Sequence, residues 1–195
     1  MTNKSKDWIY HNNKSNTIRY ILGEKSQNMV ACIGINPSTA IPNDLDNTLK
    51  TVKRISEYNK FDGWIMYNVY PQRATNPDNL SDEIDHNIRL KNIGIITKSI
   101  KHLGIDTVWL AYGDLIETRK YLPFCMLSLY KHLSDLNLNW KIIGIPTKKG
   151  HPRHPLRNLT ESKFVDFDME NYVEKKLKPL SKEFQKIYVD GKEFK

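Results

Sequence analysis

Two carboxamides, a pair of histidines and a run of cations, set in four short segments, are the groups of this chain best suited to do chemistry. The segments are Gly34-Ile35-Asn36-Pro37-Ser38, Trp64-Ile65-Met66-Tyr67-Asn68, Val108-Trp109-Leu110-Ala111-Tyr112-Gly113 and His151-Pro152-Arg153-His154-Pro155-Leu156. In the first, Gly34 permits close backbone approach and Pro37 fixes the turn, so Asn36 projects its carboxamide from a rigid base. Such a group can orient a water or the polar edge of a ligand, or simply cap the turn. Asn68 ends an apolar run. Its planar set of one acceptor and two donors matches the edge of a nucleobase, although a strand-end Asn can equally be satisfied by backbone. Tyr70, Arg73 and Thr75 follow, with capacity for stacking and phosphate binding.

His151 and His154 lie in a Pro-stiffened basic loop. Two histidines at this spacing can bind a metal. Here each is followed by proline, which opposes the helix that the spacing usually needs, and no Cys lies nearby, so no metal is expected. Lys148, Lys149, Arg153 and Arg157 surround them, with no acidic residue between positions 146 and 158. A histidine that hydrogen-bonds a developing anion suits such a field of cations; a solvent-exposed loop histidine is the plain alternative. His86, His102 and His132 fall on helical stretches and read as solvated or structural.

These groups need elements to hold them. Thr17–Gly23 and Met29–Ile35 read as strands, a helix is expected from about Asn47 to Tyr58, and Gly63–Val69 is a third strand. The next helix starts with Ser81 as N-cap, with Asp82 and Glu83 in its first turn, and stops at Gly104. Asp106–Tyr112 is a strand, 115–136 mostly helical with Pro123 near a kink or break, and Trp140–Ile145 a strand. Residues 169–186 can form an amphipathic helix, and Asp190-Gly191 suggests a small hairpin. Strands alternating with helices predict a parallel sheet covered on its faces, whose ligands collect at one edge. The expected fold is thus a three-layer α/β/α domain around a mainly parallel four-stranded sheet, with an N-terminal strand and a small C-terminal extension. One domain spans 1–195: a flexible arm at 1–16, a core at 17–158 and an extension at 159–195.

The 195 residues carry a net charge of +8, with 39% apolar residues. Residues 159–195 hold eight basic and eight acidic side chains, so the excess lies entirely in 1–158. A basic surface attracts polyanions, nucleic acid above all. No apolar run is long enough to span a membrane, and the N-terminus has no apolar core of the secretory kind. A cytoplasmic monomer is expected, with Cys32 and Cys125 as small buried hydrophobes.

In order and content the four segments resemble the uracil-DNA glycosylase superfamily. That family has a G-x-N-P or G-x-D-P loop after its first core strand, then a strand ending in Asn, a strand ending in an aromatic-Gly pair, and an H-P loop with a Leu. Gly34–Pro37 looks closest to the mismatch-specific branch, whose motif begins G-I-N-P. The chain also looks like a member of a bacterial family described only as a domain of unknown function, number 1643, on Asn36-Pro37-Ser38-Thr39-Ala40, Arg73-Ala74-Thr75 and His154-Pro155-Leu156, over roughly residues 17–158.

The glycosylase resemblance implies roles by position. Asn36 would position the attacking water, Asn68 would read a flipped base with Ile35 and Tyr70 around it, and His151 or His154 would hydrogen-bond the departing base anion. Leu156 would enter the gap left in the duplex. Ser38, Arg73, Lys148, Lys149, Arg153 and Arg157 would contact DNA. No cofactor is implied. Position 36 is not Asp, and Arg153 stands where the family usually has Ser; both departures bear on which base is taken. The expected activity is hydrolysis of the N-glycosidic bond of an altered or modified pyrimidine in DNA, in repair or defence against phage. The alternatives are a nucleic-acid-binding module without turnover, which Arg153 and the missing acid favour, and a hydrolase of free nucleosides or nucleotides.

Overall fold

The computed structural model describes residues 7–157, 161–189 and 192–193. Nine strands are described: β1 (Trp8–Asn12), β2 (Arg19–Glu24), β3 (Met29–Gly34), β4 (Gly63–Asn68), β5 (Thr107–Leu110), β6 (Asn139–Ile143), β7 (Phe164–Asp166), and the short pair β8 (Tyr188–Val189) and β9 (Lys192–Glu193). The first seven form one sheet in the order β1-β2-β4-β3-β5-β6-β7. β4, β3, β5 and β6 pair in parallel, while β1, β2 and β7 join antiparallel. The sheet is therefore mixed and larger than the four strands expected.

Period-two alternation on buried strands produces two cores. Ala31, Ile33, Ile65, Tyr67, Val108 and Leu110 face one way. Val30, Cys32, Trp64, Met66 and Trp109 face the other. The second face is covered by α1 (Asn47–Tyr58), through Leu49, Val52 and Ile55. The first is covered by α2 (His86–Leu103), through Ile93, Ile96 and Ile100, and by α3 (Leu122–Leu133). The C-terminal helical run, Met169–Tyr172, a π turn Val173–Leu177 and Lys178–Leu180, adds Met169, Tyr172, Val173 and Leu177 to the same core. Cys32 and Cys125 are both buried.

Several expectations require correction. Residues 8–12, placed in a flexible arm, form edge strand β1; Trp8 packs edge-on against Trp64 with ring centroids 6.4 Å apart. β7, in the extension, was not expected, and its Phe164 reaches Trp109 with ring centroids 5.3 Å apart. The cap of α2 is Asp85, not Ser81: its carboxylate accepts from the amides of Asn87 and Ile88, and its own N–H is held by the Tyr70 hydroxyl. Asp82 and Glu83 thus precede the helix. The helical stretch expected at 115–136 does break beside Pro123, as expected: a 3-10 turn covers Gly113–Glu117, and Pro123 sits in the first turn of α3, where its missing N–H breaks no bond. β8 and β9 pair as a hairpin, whose turn Asp190-Gly191 lies outside the described residues.

Candidate functional site

The parallel strands end together. Gly34 and Asn68 are register partners on β3 and β4, and Ile33 pairs with Leu110 on β5. Beyond these ends lies a cavity of about 420 Å³, within the range of small-ligand sites. Its walls include Arg19 on β2, the Gly34–Thr39 loop, the first turn of α1, Met66, Ala74, Thr75 and Pro77, Leu115, and His154 with Leu156.

Asn36 is fixed in this wall. Its Nδ2 donates to the carbonyls of Ala74 at 2.8 Å and Pro37 at 3.1 Å. Both partners are acceptors, so the amide nitrogen must face them, and Oδ1 is the atom left to accept a proton from a bound water. The loop is held from behind by Arg73, which donates to the carbonyls of Ser38 and Ala40 and to the Tyr10 hydroxyl. Arg73 thus shapes the loop, with its donors turned into the protein. Ile35 and Ser38 line the cavity.

Asn68 sits one layer behind the wall, fully buried. Neither its Oδ1 nor its Nδ2 has a partner among the described residues, a costly state for a carboxamide. A Cβ on Gly34 would stand 3.2 Å from Asn68 Oδ1 and 2.4 Å from Met66 Cε. Glycine at 34 therefore leaves room here for both the Met66 side chain and the carboxamide. Tyr70 is not brought here. Its ring packs 5.1 Å from that of Tyr121 in the other core, and its hydroxyl serves the start of α2.

The two histidines part company. His154 lines the cavity, and its Nδ1 accepts from the Leu156 amide at 3.3 Å, so a neutral ring carries its proton on Nε2. Gly113 positions it: with φ at 64°, Gly113 donates to the Pro152 carbonyl at 2.8 Å, and a Cβ there would press on His154 Cβ at 3.2 Å. His151 is fully buried, its Nε2 2.7 Å from Glu117 Oε1 and its Nδ1 2.8 Å from the Tyr172 hydroxyl. Both of its ring nitrogens are occupied in holding the base of the loop.

Of the expected DNA contacts, Leu156 is half exposed at the mouth, and Lys148 and Arg153 line an adjoining groove that shares His154 and Leu156 with the cavity. Arg153 Nε donates to the Ile145 carbonyl. Lys149 pairs with Glu117 at 2.9 Å. The side chain of Arg157 lies outside the described residues. No three His, Cys, Asp or Glu side chains form a group that could hold a metal among the described residues. No described helix is long and apolar enough to cross a membrane.

Burial by itself would raise the Glu117 carboxyl, but hydrogen bonds from His151 and Lys149 outweigh it and hold the group below the usual carboxylate range. A depressed acid contributes stability above its unfolded pKa, lost as pH falls through the lower folded value. Glu117→Gln is expected to narrow the gap in thermal midpoint between about pH 7 and about pH 3. Undiminished acid sensitivity in the variant would show that the pair contributes nothing.

Arg19 escaped the sequence reading. It opens β2 ahead of the uncharged run Tyr20-Ile21-Leu22-Gly23, and that charge at the head of a buried strand was the available signal. It is 2% exposed and lines the cavity, with Nη1 donating to the Ala40 carbonyl at 3.0 Å. The first turn of α1, capped by Asp46, was also missed as part of the site.

A comparison with curated proteins finds no match for this chain. Residues 19–156 match the model of a family described as protein of unknown function (DUF1643). The match takes in β2, both asparagines, the His154 loop and every wall of the cavity, and on that match the chain belongs to this family.

Proposed function

We propose that the chain is a DNA glycosylase that hydrolyses the N-glycosidic bond of an altered or modified pyrimidine. The observation that carries this reading is the meeting of Asn36, His154 and Leu156, distant in sequence, in one cavity at the carboxyl ends of parallel strands. The likeness to uracil-DNA glycosylases in these loops and in the four parallel strands supports it.

The chemistry follows from the groups present. Breaking the bond leaves oxocarbenium character on the sugar and negative charge on the base. The His154 imidazole on the cavity wall has the chemistry of a donor to the departing anion, and a single such donor can lower a barrier by about 3 kcal/mol. Asn36 Oδ1 can accept from a water and so orient its lone pair toward the sugar. A neutral carboxamide orients water but does not deprotonate it, which suits a reaction whose sugar centre is already cation-like. Asn68, buried behind the wall with donors and an acceptor unpartnered among the described residues, has the groups to read the edge of a base. A base must first leave the stack, at a cost of a few kcal/mol, and Leu156 at the mouth can fill the gap.

Lys148 is exposed on the groove and suits a phosphate contact. Lys148→Ala is expected to weaken binding to all DNA sequences alike and to reduce the slope of log affinity against log salt by about one. An unaltered slope would move the phosphate track elsewhere. The reading itself is tested by incubating duplexes that carry altered pyrimidines and cleaving at abasic sites with hot alkali. Intact strands from every duplex would overturn it.

The nucleoside hydrolase is the second reading, favoured by one observation: the cavity includes a buried guanidinium of the sort a free nucleotide's charged end would need.

A further inference from the structure

We infer that the end of the cavity formed by Arg19 and the first turn of α1 is an oxyanion subsite that takes a phosphate group of the bound nucleotide. The inference rests on the cavity being the nucleotide site proposed above, but not on any bond being cleaved there.

Arg19 supplies the first argument. Its guanidinium is almost wholly buried, its Nε has no partner, and no carboxylate forms an ion pair with it among the described residues. Buried charges are ordinarily paired. Arg73 reaches the same Ala40 carbonyl from Nη1 at 3.4 Å and Nη2 at 3.3 Å, so two like charges converge on one acceptor. Burial, then the Arg73 charge, pull the Arg19 pKa down to about 10 against a smaller upward pull from Asp46, which leaves it cationic at neutral pH. An oxyanion would pair this charge and relieve the repulsion.

The helix supplies the second. α1 runs for twelve residues, and the amides of Asn47 and Thr48, in its first turn, have no hydrogen-bond partner among the described residues. Both residues line the cavity, at the positive end of the helix dipole. Ser38 lines the same cavity. One group opposes: the carboxylate of Asp46 also lines the cavity, where it caps the helix by accepting from the Leu49 amide at 2.9 Å. Against it stand the Arg19 guanidinium and the helix N-terminus on the cavity wall, with the Arg73 charge behind that wall. A phosphate suits a buried guanidinium beside free helix amides, since an oxyanion accepts from both kinds of donor.

The phosphate can come from the monoester of a free nucleotide or from a phosphodiester of a strand. Calorimetric titration of the full chain with thymidine 5′-monophosphate and with thymidine tests the first. Short single strands carrying one neutral methylphosphonate beside the target nucleotide, against all-phosphate strands, test the second. The expected result is at least a tenfold preference for the phosphate in one arm, reduced to less than about twofold in Arg19→Met. If Arg19→Met folds poorly by circular dichroism, Asn47→Pro replaces it. Proline is tolerated at this first helical position, Asp46 before it is already extended with ψ of 171°, and the change removes one N–H donor. It should weaken phosphate binding several-fold. No phosphate preference in either arm, or a preference unchanged in both variants, would overturn the inference. A chain that prefers phosphate yet releases no base would leave the subsite standing and remove the glycosylase instead.

Discussion

Asn36→Ala should slow base release by about 10²–10³-fold while leaving DNA affinity nearly unchanged. The reason lies in how the carboxamide is held. Its nitrogen is engaged by the Ala74 and Pro37 carbonyls, so the side chain cannot turn, and only Oδ1 can address a water in the cavity. Alanine removes that acceptor and leaves two carbonyls without their donor, at about 1 kcal/mol each. A domain with two continuous cores tolerates such a loss, so the variant should fold, with a thermal midpoint lowered by several degrees. Asn36→Asp is not the gain that a stronger base would suggest. A carboxylate oxygen would meet the two carbonyls that now receive N–H bonds, so the acid must take up a proton or push the loop open. Release by Asn36→Ala at the wild-type rate, on a substrate the wild type cleaves well, would remove Asn36 from the mechanism.

The two histidines should fail in different ways. His154→Ala is expected to reduce release by about 10²-fold or more with a smaller loss of thermal midpoint than His151→Ala, because His154 is only partly buried and lines the cavity. His151→Ala should destabilise the fold by about 3 kcal/mol, or on the order of 10 °C, because Glu117 and Tyr172 both lose their partner. Below its melting temperature that variant should keep most of its turnover. Equal losses of activity in two equally stable variants would contradict the division of roles. The readouts are single-turnover release rates and thermal melts of the same preparations.

This division was invisible in the sequence, where both histidines precede prolines in one loop. What separates them comes from afar: Glu117 and Tyr172 engage one, while Gly113 sets the loop against the cavity for the other. The α1 span, by contrast, was legible to the residue, because Leu49, Val52 and Ile55 repeat at helical spacing and form its buried face. The central strands were legible as apolar runs for the same reason they are buried on both faces. β1 was not, because Trp8-Ile9-Tyr10 is too short a run to declare itself beside polar neighbours. It exists through pairing with β2 and contact with Trp64. The α2 start was misplaced because Ser81 and Asp85 are both sound caps by type, and the Tyr70 hydroxyl that favours Asp85 is a tertiary contact.

The cavity was half legible. The loops of Asn36 and His154 announced themselves as polar ends of strand-like runs, and the topology brought them together. Arg19 and the first turn of α1 did not, because a lone arginine opening a strand and an Asp-capped helix are ordinary features until the fold sets them opposite each other. Tyr70 and Arg73 had the right chemistry for a base and a phosphate, but the packing employs both within the protein.

The most direct measurement is mass spectrometry of the small molecules released when the wild-type chain is incubated with a panel of DNAs, including hypermodified phage genomes. The account predicts a free base from at least one of them, with an abasic site left in an otherwise continuous strand and no release by Asn36→Ala. Release of nucleosides or nucleotides, or no release from any DNA in the panel, would contradict it.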